Sequence, residues 1–137
     1  MRQKLNDIVL CIDFDATIAH RDAFPKIGKP LDGAVEAINK LYNEGYFIIV
    51  WTCRSGMHQL EAEQYLLDNG IPYDKVNSAR PKELIQFNNE DTRKVWATAY
   101  IDDSSIEWKV KGMPHWSEIY KLCEELAPHP CIPEHKE

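Results

Sequence analysis

Five apolar residues in a row, Ile8 to Ile12, run straight into Asp13-Phe14-Asp15. The run is too short for a membrane span and carries no helical stripe, so it reads as a strand buried on both faces of a sheet. Side chains alternate along an extended chain, so Asp13 and Asp15 leave the strand on the same side, close enough to share a divalent cation. Without a cation the two carboxylates repel. Taken alone, this DxDxT run is also what a strand looks like when it exits into solvated turn residues, because Asp is common in turns.

The same event recurs twice. Residues 46–51, YFIIVW, read as a second buried strand that ends in Thr52, and residues 97–101, ATAYI, as a third that ends in Asp102-Asp103. In an open parallel sheet the ligand crevice lies outside the carboxyl ends of the strands, so the three endings converge on one spot.

A chain of 137 residues suits one domain with a real core, whereas two independent domains would be small and marginal. The expected organisation is one domain over residues 1–127 and a polar tail over 128–137. A net charge of −6 argues against a nucleic-acid surface dominated by phosphate contacts, while leaving room for a local basic patch. Cys11 and Cys53 fall in or beside buried strands, where a thiol behaves as a small apolar side chain, which points to a reducing compartment. The start, MRQKLND, is polar and short, and Asp13 interrupts the apolar run that follows. Neither a secretory signal nor a transmembrane helix fits, and the expected location is the cytoplasm.

Residues 19–29 lack periodicity and carry His20, Arg21, Asp22, Pro25, Lys26, Gly28 and Lys29, so they read as a loop leaving the site. A helix is expected over 33–43, capped by Asp32, striped by Val35, Ile38, Leu41 and Tyr42, and stopped by Gly45. A second is expected over 57–68, with Ser55 as its cap and Gly70 as its terminator. Residues 71–77 read as a weak, partly polar strand suited to a sheet edge, 81–87 as a short helix and 88–92 as a loop. A last helix is expected over 114–126, striped by Trp116, Ile119, Tyr120, Cys123 and Leu126. Strands alternating with helices in this order give parallel pairing through right-handed crossovers, hence a three-layer, Rossmann-like α/β domain.

The series Asp13-Phe14-Asp15-Ala16-Thr17, then Thr52, then a lysine, then Asp102-Asp103 resembles the four motifs of the haloacid dehalogenase superfamily of phosphohydrolases. The motifs spread over most of the chain. Neither the stretch 19–31 nor the stretch 78–93 has room for the large lid domains found in that superfamily, so the chain resembles its capless members.

The resemblance implies a magnesium-dependent phosphatase. Asp13 is then the nucleophile that forms an aspartyl phosphate, and Asp15 protonates the leaving oxygen and later deprotonates the attacking water. Magnesium is implied on the carboxylate of Asp13, the backbone carbonyl of Asp15 and Asp102, with Asp103 assisting; hard oxygen ligands suit this ion. Thr52 donates its hydroxyl to a phosphoryl oxygen, and a lysine neutralises the remaining charge and holds Asp13. Lys94 is favoured for that lysine over Lys82, the other one being a solvated surface residue. Ala16 departs from the glycine most common in the family, and its methyl either crowds the phosphate or demands a negative φ.

Other candidates carry less. Arg54 forks onto a phosphate or substrate carboxylate, or else makes a structural salt bridge to a crevice Asp. His20, Arg21 and Lys26 overhang the crevice as candidates for choosing the leaving group, with an exposed charged loop as the plainer reading. Trp108, Lys109 and Lys111 line the entrance, unless Trp108 belongs to the core. Cys123, His129, Cys131 and His135 match no common zinc spacing, and Cys123 falls on a core stripe. A non-catalytic, receiver-like metal- and phosphate-binding domain is the alternative, but its acidic pair follows the first strand, whereas here the pair comes late. The expected partner is a phosphorylated substrate of open identity, with no membrane and with a homo-oligomer as one possible source of a lid.

Overall fold

The structure, a computed structural model, describes residues 1–112 and 115–128. The apolar run at the start forms β1, Val9–Asp13, and it becomes the second strand from one edge of a four-stranded parallel sheet. β4, Phe47–Trp51, pairs with it on one side, and β6, Ala99–Ile101, on the other. β5, only Lys75–Val76, closes the far edge, giving the order β5-β4-β1-β6. The α/β, Rossmann-like three-layer architecture expected from the sequence is what the chain adopts.

Alternation along β1 divides the core. Leu10 and Ile12, with Ile48 and Val50 of β4, face α1 (Ala34–Asn43), α2 (Gly56–Asp68) and α5 (Trp116–Glu124). Ile38, Leu41, Leu66 and Trp116 from these helices are fully buried there, each contributing about 1.5–3 kcal/mol by transfer from water. Val9, Cys11 and Ile49 face the other way, onto Ala79, Val95 and Ala97. This second layer is thin. It is the stretch 78–98 doubling back across the sheet, with α3, Pro81–Gln86, supplying Leu84.

Several local expectations change. The stretch 19–29 is no plain loop, because β2, Ala19–Arg21, and β3, Ile27–Pro30, pair as an antiparallel hairpin. Gly28 is required there, since a Cβ would lie 2.5 Å from the carbonyl oxygen of His20. The cap of α1 is Gly33, in the left-handed region at φ 79°, rather than Asp32. Ser55 does hold the N-cap position of α2, though its side chain makes no capping bond. A short helix the sequence did not announce, α4 at Ile106–Lys111, follows the Asp pair and buries Trp108. β5 and β6 are shorter than the expected strands, and the expected start of the last helix at residue 114 and most of the 128–137 tail lie outside the described residues. Among the described residues no helix is long and apolar enough to cross a membrane.

Candidate functional site

Register sets the site. Asp13 is level with Trp51 on β4, which puts Thr52 one step beyond it, and Ile12 is level with Ile101 on β6, which puts Asp102 beside Asp13. The three strand endings therefore meet at the carboxyl edge of the sheet, where an open parallel sheet places its ligand.

Ligand oxygens of Asp13, Asp102 and Asp103 all lie within 4.8 Å of one another. Burial pushes the Asp13 carboxyl up to about 8, and the hydrogen bond to Asp103 and the charges of Asp102 and Asp103 push the same way, against the opposing Thr17 hydroxyl. A hard divalent cation fits this donor set, because it is all carboxylate oxygen and its charges otherwise repel. Arg21 partly answers them, its guanidinium lying 3.7 Å from Asp103.

Asp15 turns away from the cluster. Arg54 holds its carboxylate with two parallel hydrogen bonds of 2.9 Å, the structural salt bridge rather than a fork kept free for substrate. The Arg54 side chain is 2% exposed and also donates to the carbonyls of Pro25 and Lys26 at 2.9 and 3.4 Å. It thereby ties the hairpin tip to Asp15.

The turn between β1 and β2 is tight, with the Phe14 carbonyl accepting the amides of Ile18 and Ala19 at 2.9 and 3.1 Å. Ala16 sits in it at φ 65°, so the methyl does not enforce a negative φ; the backbone takes the left-handed conformation regardless. Thr17, fully buried, donates to Asp13 at 3.2 Å and accepts the Asp103 amide at 2.9 Å, and Trp116 Nε1 donates to the Thr17 carbonyl at 2.8 Å. The Thr52 hydroxyl accepts the Arg54 amide at 3.0 Å, which leaves its proton to donate into the crevice. Asn77 fixes the Thr52 backbone from both sides, its Oδ1 accepting the Thr52 N–H at 2.8 Å and its Nδ2 donating to the Thr52 carbonyl at 2.9 Å.

Among the described residues no ion pair joins either expected lysine to Asp13. Lys94 is exposed, with its ammonium 5.4 Å from the Tyr100 ring centroid, and Lys82 pairs with Asp7 at 3.6 Å, before the start of β1. His20 is separated from the site. Alternation on β2 turns it toward a cavity of about 450 Å³ lined by Leu31, Asp32, Gly33, His115 and Trp116, while Arg21 turns to Asp103. Trp108 is a core residue, and Lys111 pairs with Glu107 at 3.0 Å. For the zinc reading, Cys123 is buried with its thiol pushed up to about 12 by desolvation, which opposes the thiolate zinc needs; His129, Cys131 and His135 lie outside the described residues. Thr17 and Asn77 are the supporting residues that motif reading left without a role. The signal for Asn77 was the same one that marked the others, a polar side chain just past the end of a strand.

Fold and site together define a Rossmann-like α/β domain with a carboxylate cluster at the topological switch between β1 and β6. Among solved structures, a conserved protein from Bacteroides thetaiotaomicron is 30% identical and superposes with a TM-score of 0.73, the match covering 88% of this chain and 92% of that one. The chain belongs to the family of that conserved protein. No protein-family model and no curated protein matches the chain.

Proposed function

We propose that this protein is a magnesium-dependent phosphomonoesterase of the haloacid dehalogenase type, working through an aspartyl phosphate on Asp13. The observation that carries the reading is the convergence of Asp13, Asp102 and Asp103 within 4.8 Å at the carboxyl edge of the sheet. The sequence order DxDxT, Thr, Asp-Asp supports it.

In this reading an Asp13 carboxylate oxygen attacks phosphorus as the ester P–O bond breaks, and the leaving oxygen takes its proton from Asp15. Water then attacks the phosphorus of the acyl phosphate, giving its proton to Asp15, and Asp13 departs as a carboxylate with release of inorganic phosphate. Arg54 fixes the direction of the Asp15 carboxylate when it accepts the proton of the attacking water, since its fork holds both oxygens. Donating to the leaving oxygen requires Asp15 protonated, with one of the two bonds of the fork released. Thr52 donates its hydroxyl to a phosphoryl oxygen, from a backbone locked by Asn77. Arg21 brings positive charge to the Asp103 side of the site, whereas the cation expected from the sequence was a lysine holding Asp13. Magnesium, held by Asp13, Asp102, Asp103 and the Asp15 carbonyl, would offset the repulsion between a carboxylate nucleophile and a phosphate dianion.

Phosphate release from a panel of phosphomonoesters, with magnesium and with a chelator, tests the reading. Release that depends on the metal is expected. Absence of release from any ester by folded, magnesium-supplied protein would overturn it.

A further inference from the structure

The general acid locates the leaving group. If Asp15 hands its proton to the leaving oxygen, the rest of the alcohol occupies the space on the Asp15 side of the phosphorus. That space is a cavity of about 330 Å³ lined by Asp15, Arg21, Asp22, Phe24, Cys53 and Arg54, at the small end of small-molecule sites. Phe24 alone among these walls carries a large apolar ring.

Phe24 is 65% exposed. Single exposed apolar side chains are ordinary, and Leu67 and Ile85 are exposed too, neither of them on this cavity. Two things separate Phe24 from them. It faces the leaving-group cavity, and it is held there. The Arg54 guanidinium carbon lies 5.0 Å from its ring centroid, and the His58 ring meets it edge-on at 4.9 Å and 67°. Arg54 also bonds the carbonyl of Pro25, the next residue in the chain. An aromatic ring fixed in place beside the reacting group, yet left open to solvent, is a stacking platform with little ordering cost left to meet on binding.

We infer that the substrate is a phosphomonoester whose leaving group carries a flat aromatic ring stacked on Phe24, either a nucleoside monophosphate or an aryl phosphate. This rests on the phosphatase reading. The cavity size and the net charge of −6 suit one small ester rather than the end of a long polyanion. Arg21 and Asp22, on the cavity wall, offer a cation and an acceptor for polar groups around the ring.

The test is steady-state hydrolysis of adenosine monophosphate, phenyl phosphate and glycerol phosphate by the wild type, Phe24→Leu and Phe24→Trp. The wild type is expected to show lower KM for the ring-bearing esters than for glycerol phosphate. Phe24→Leu should shrink that difference about tenfold and Phe24→Trp should restore it. The ranking of adenosine monophosphate against phenyl phosphate names the source of the ring. A wild-type preference for glycerol phosphate, or a difference that Phe24→Leu leaves intact, overturns the inference while leaving the phosphatase standing. If no ester turns over, the phosphatase reading fails by itself, and calorimetric titration with the same two ring compounds in magnesium decides the rest. Binding weakened by Phe24→Leu keeps the platform; no binding, or binding indifferent to it, removes it.

Discussion

The Thr17 hydroxyl accepts the backbone N–H of Asp103 at 2.9 Å, across 86 residues of sequence, and donates to the Asp13 carboxylate at 3.2 Å. One buried oxygen thus sets the spacing between the end of β1 and the turn after β6. Thr17→Val keeps the shape and removes the oxygen, leaving the Asp103 amide without this partner, at a cost of about 1–3 kcal/mol. Chemical unfolding should show that loss, and metal-dependent phosphate release should fall by at least about tenfold, since 1.4 kcal/mol in the barrier is a factor of ten. Thr17→Ser should retain most of both.

Arg54 joins Asp15 to the hairpin tip, so its loss is felt in two places. Arg54→Met leaves a carboxylate and two carbonyls without their donor, and the unfolding free energy should drop by about 3 kcal/mol, the lower end for breaking a buried pair because Asp15 is 24% exposed. Arg54→Lys should recover part of the stability and little of the turnover, because an ammonium cannot hold both carboxylate oxygens in parallel. Urea unfolding and kcat, measured on both variants, read the two effects separately.

Without metal, the cluster makes stability depend on pH. The Asp13 carboxyl is pushed up to about 8 in the folded state, chiefly by burial, from an ordinary value near 4. A group raised in this direction contributes stability at low pH that is lost as pH rises through its folded value. In chelator, thermal unfolding should therefore move to lower temperature between about pH 4 and about pH 8. Magnesium should reverse the loss, most strongly near the top of that range, by about 2.7 kcal/mol at a hundredfold excess over Kd. Asp13→Asn should flatten both responses.

Ala16 carries strain that glycine would relieve. A left-handed L-residue costs about 1–2 kcal/mol, part of which the greater freedom of an unfolded glycine offsets. Ala16→Gly should be equally stable or more stable by up to about 1 kcal/mol in urea unfolding. Ala16→Val should be clearly less stable, since a β-branched side chain tolerates this region worst.

What the sequence disclosed follows from what physical signal each segment carries. β1 and β4 are continuous apolar runs with a polar residue at the end, and their partners in the site, Asp13 and Thr52, were read from that pattern alone. The hairpin was illegible because β2 and β3 are only three and four residues long and include Gly28, Lys29 and Pro30, with no alternation to find. Tertiary bonds hold it instead, from Arg54 to its tip and from Tyr65 to the Gly28 carbonyl. The surroundings of the two candidate lysines were not legible, because motif context knows only distance along the chain. The stretch 78–98 doubles back over the sheet and carries Lys82 to Asp7 and Lys94 to Tyr100. α4 has six residues, too few to show a helical stripe.

The central claim is a covalent aspartyl phosphate on Asp13, and the stereochemical course at phosphorus tests it most directly. A phosphomonoester made chiral with oxygen isotopes is turned over with transfer to a labelled acceptor. Two in-line displacements, first by Asp13 and then by the acceptor, each invert the centre, so the account predicts net retention. Net inversion would mean that the acceptor attacks the substrate directly, and would contradict a nucleophilic Asp13.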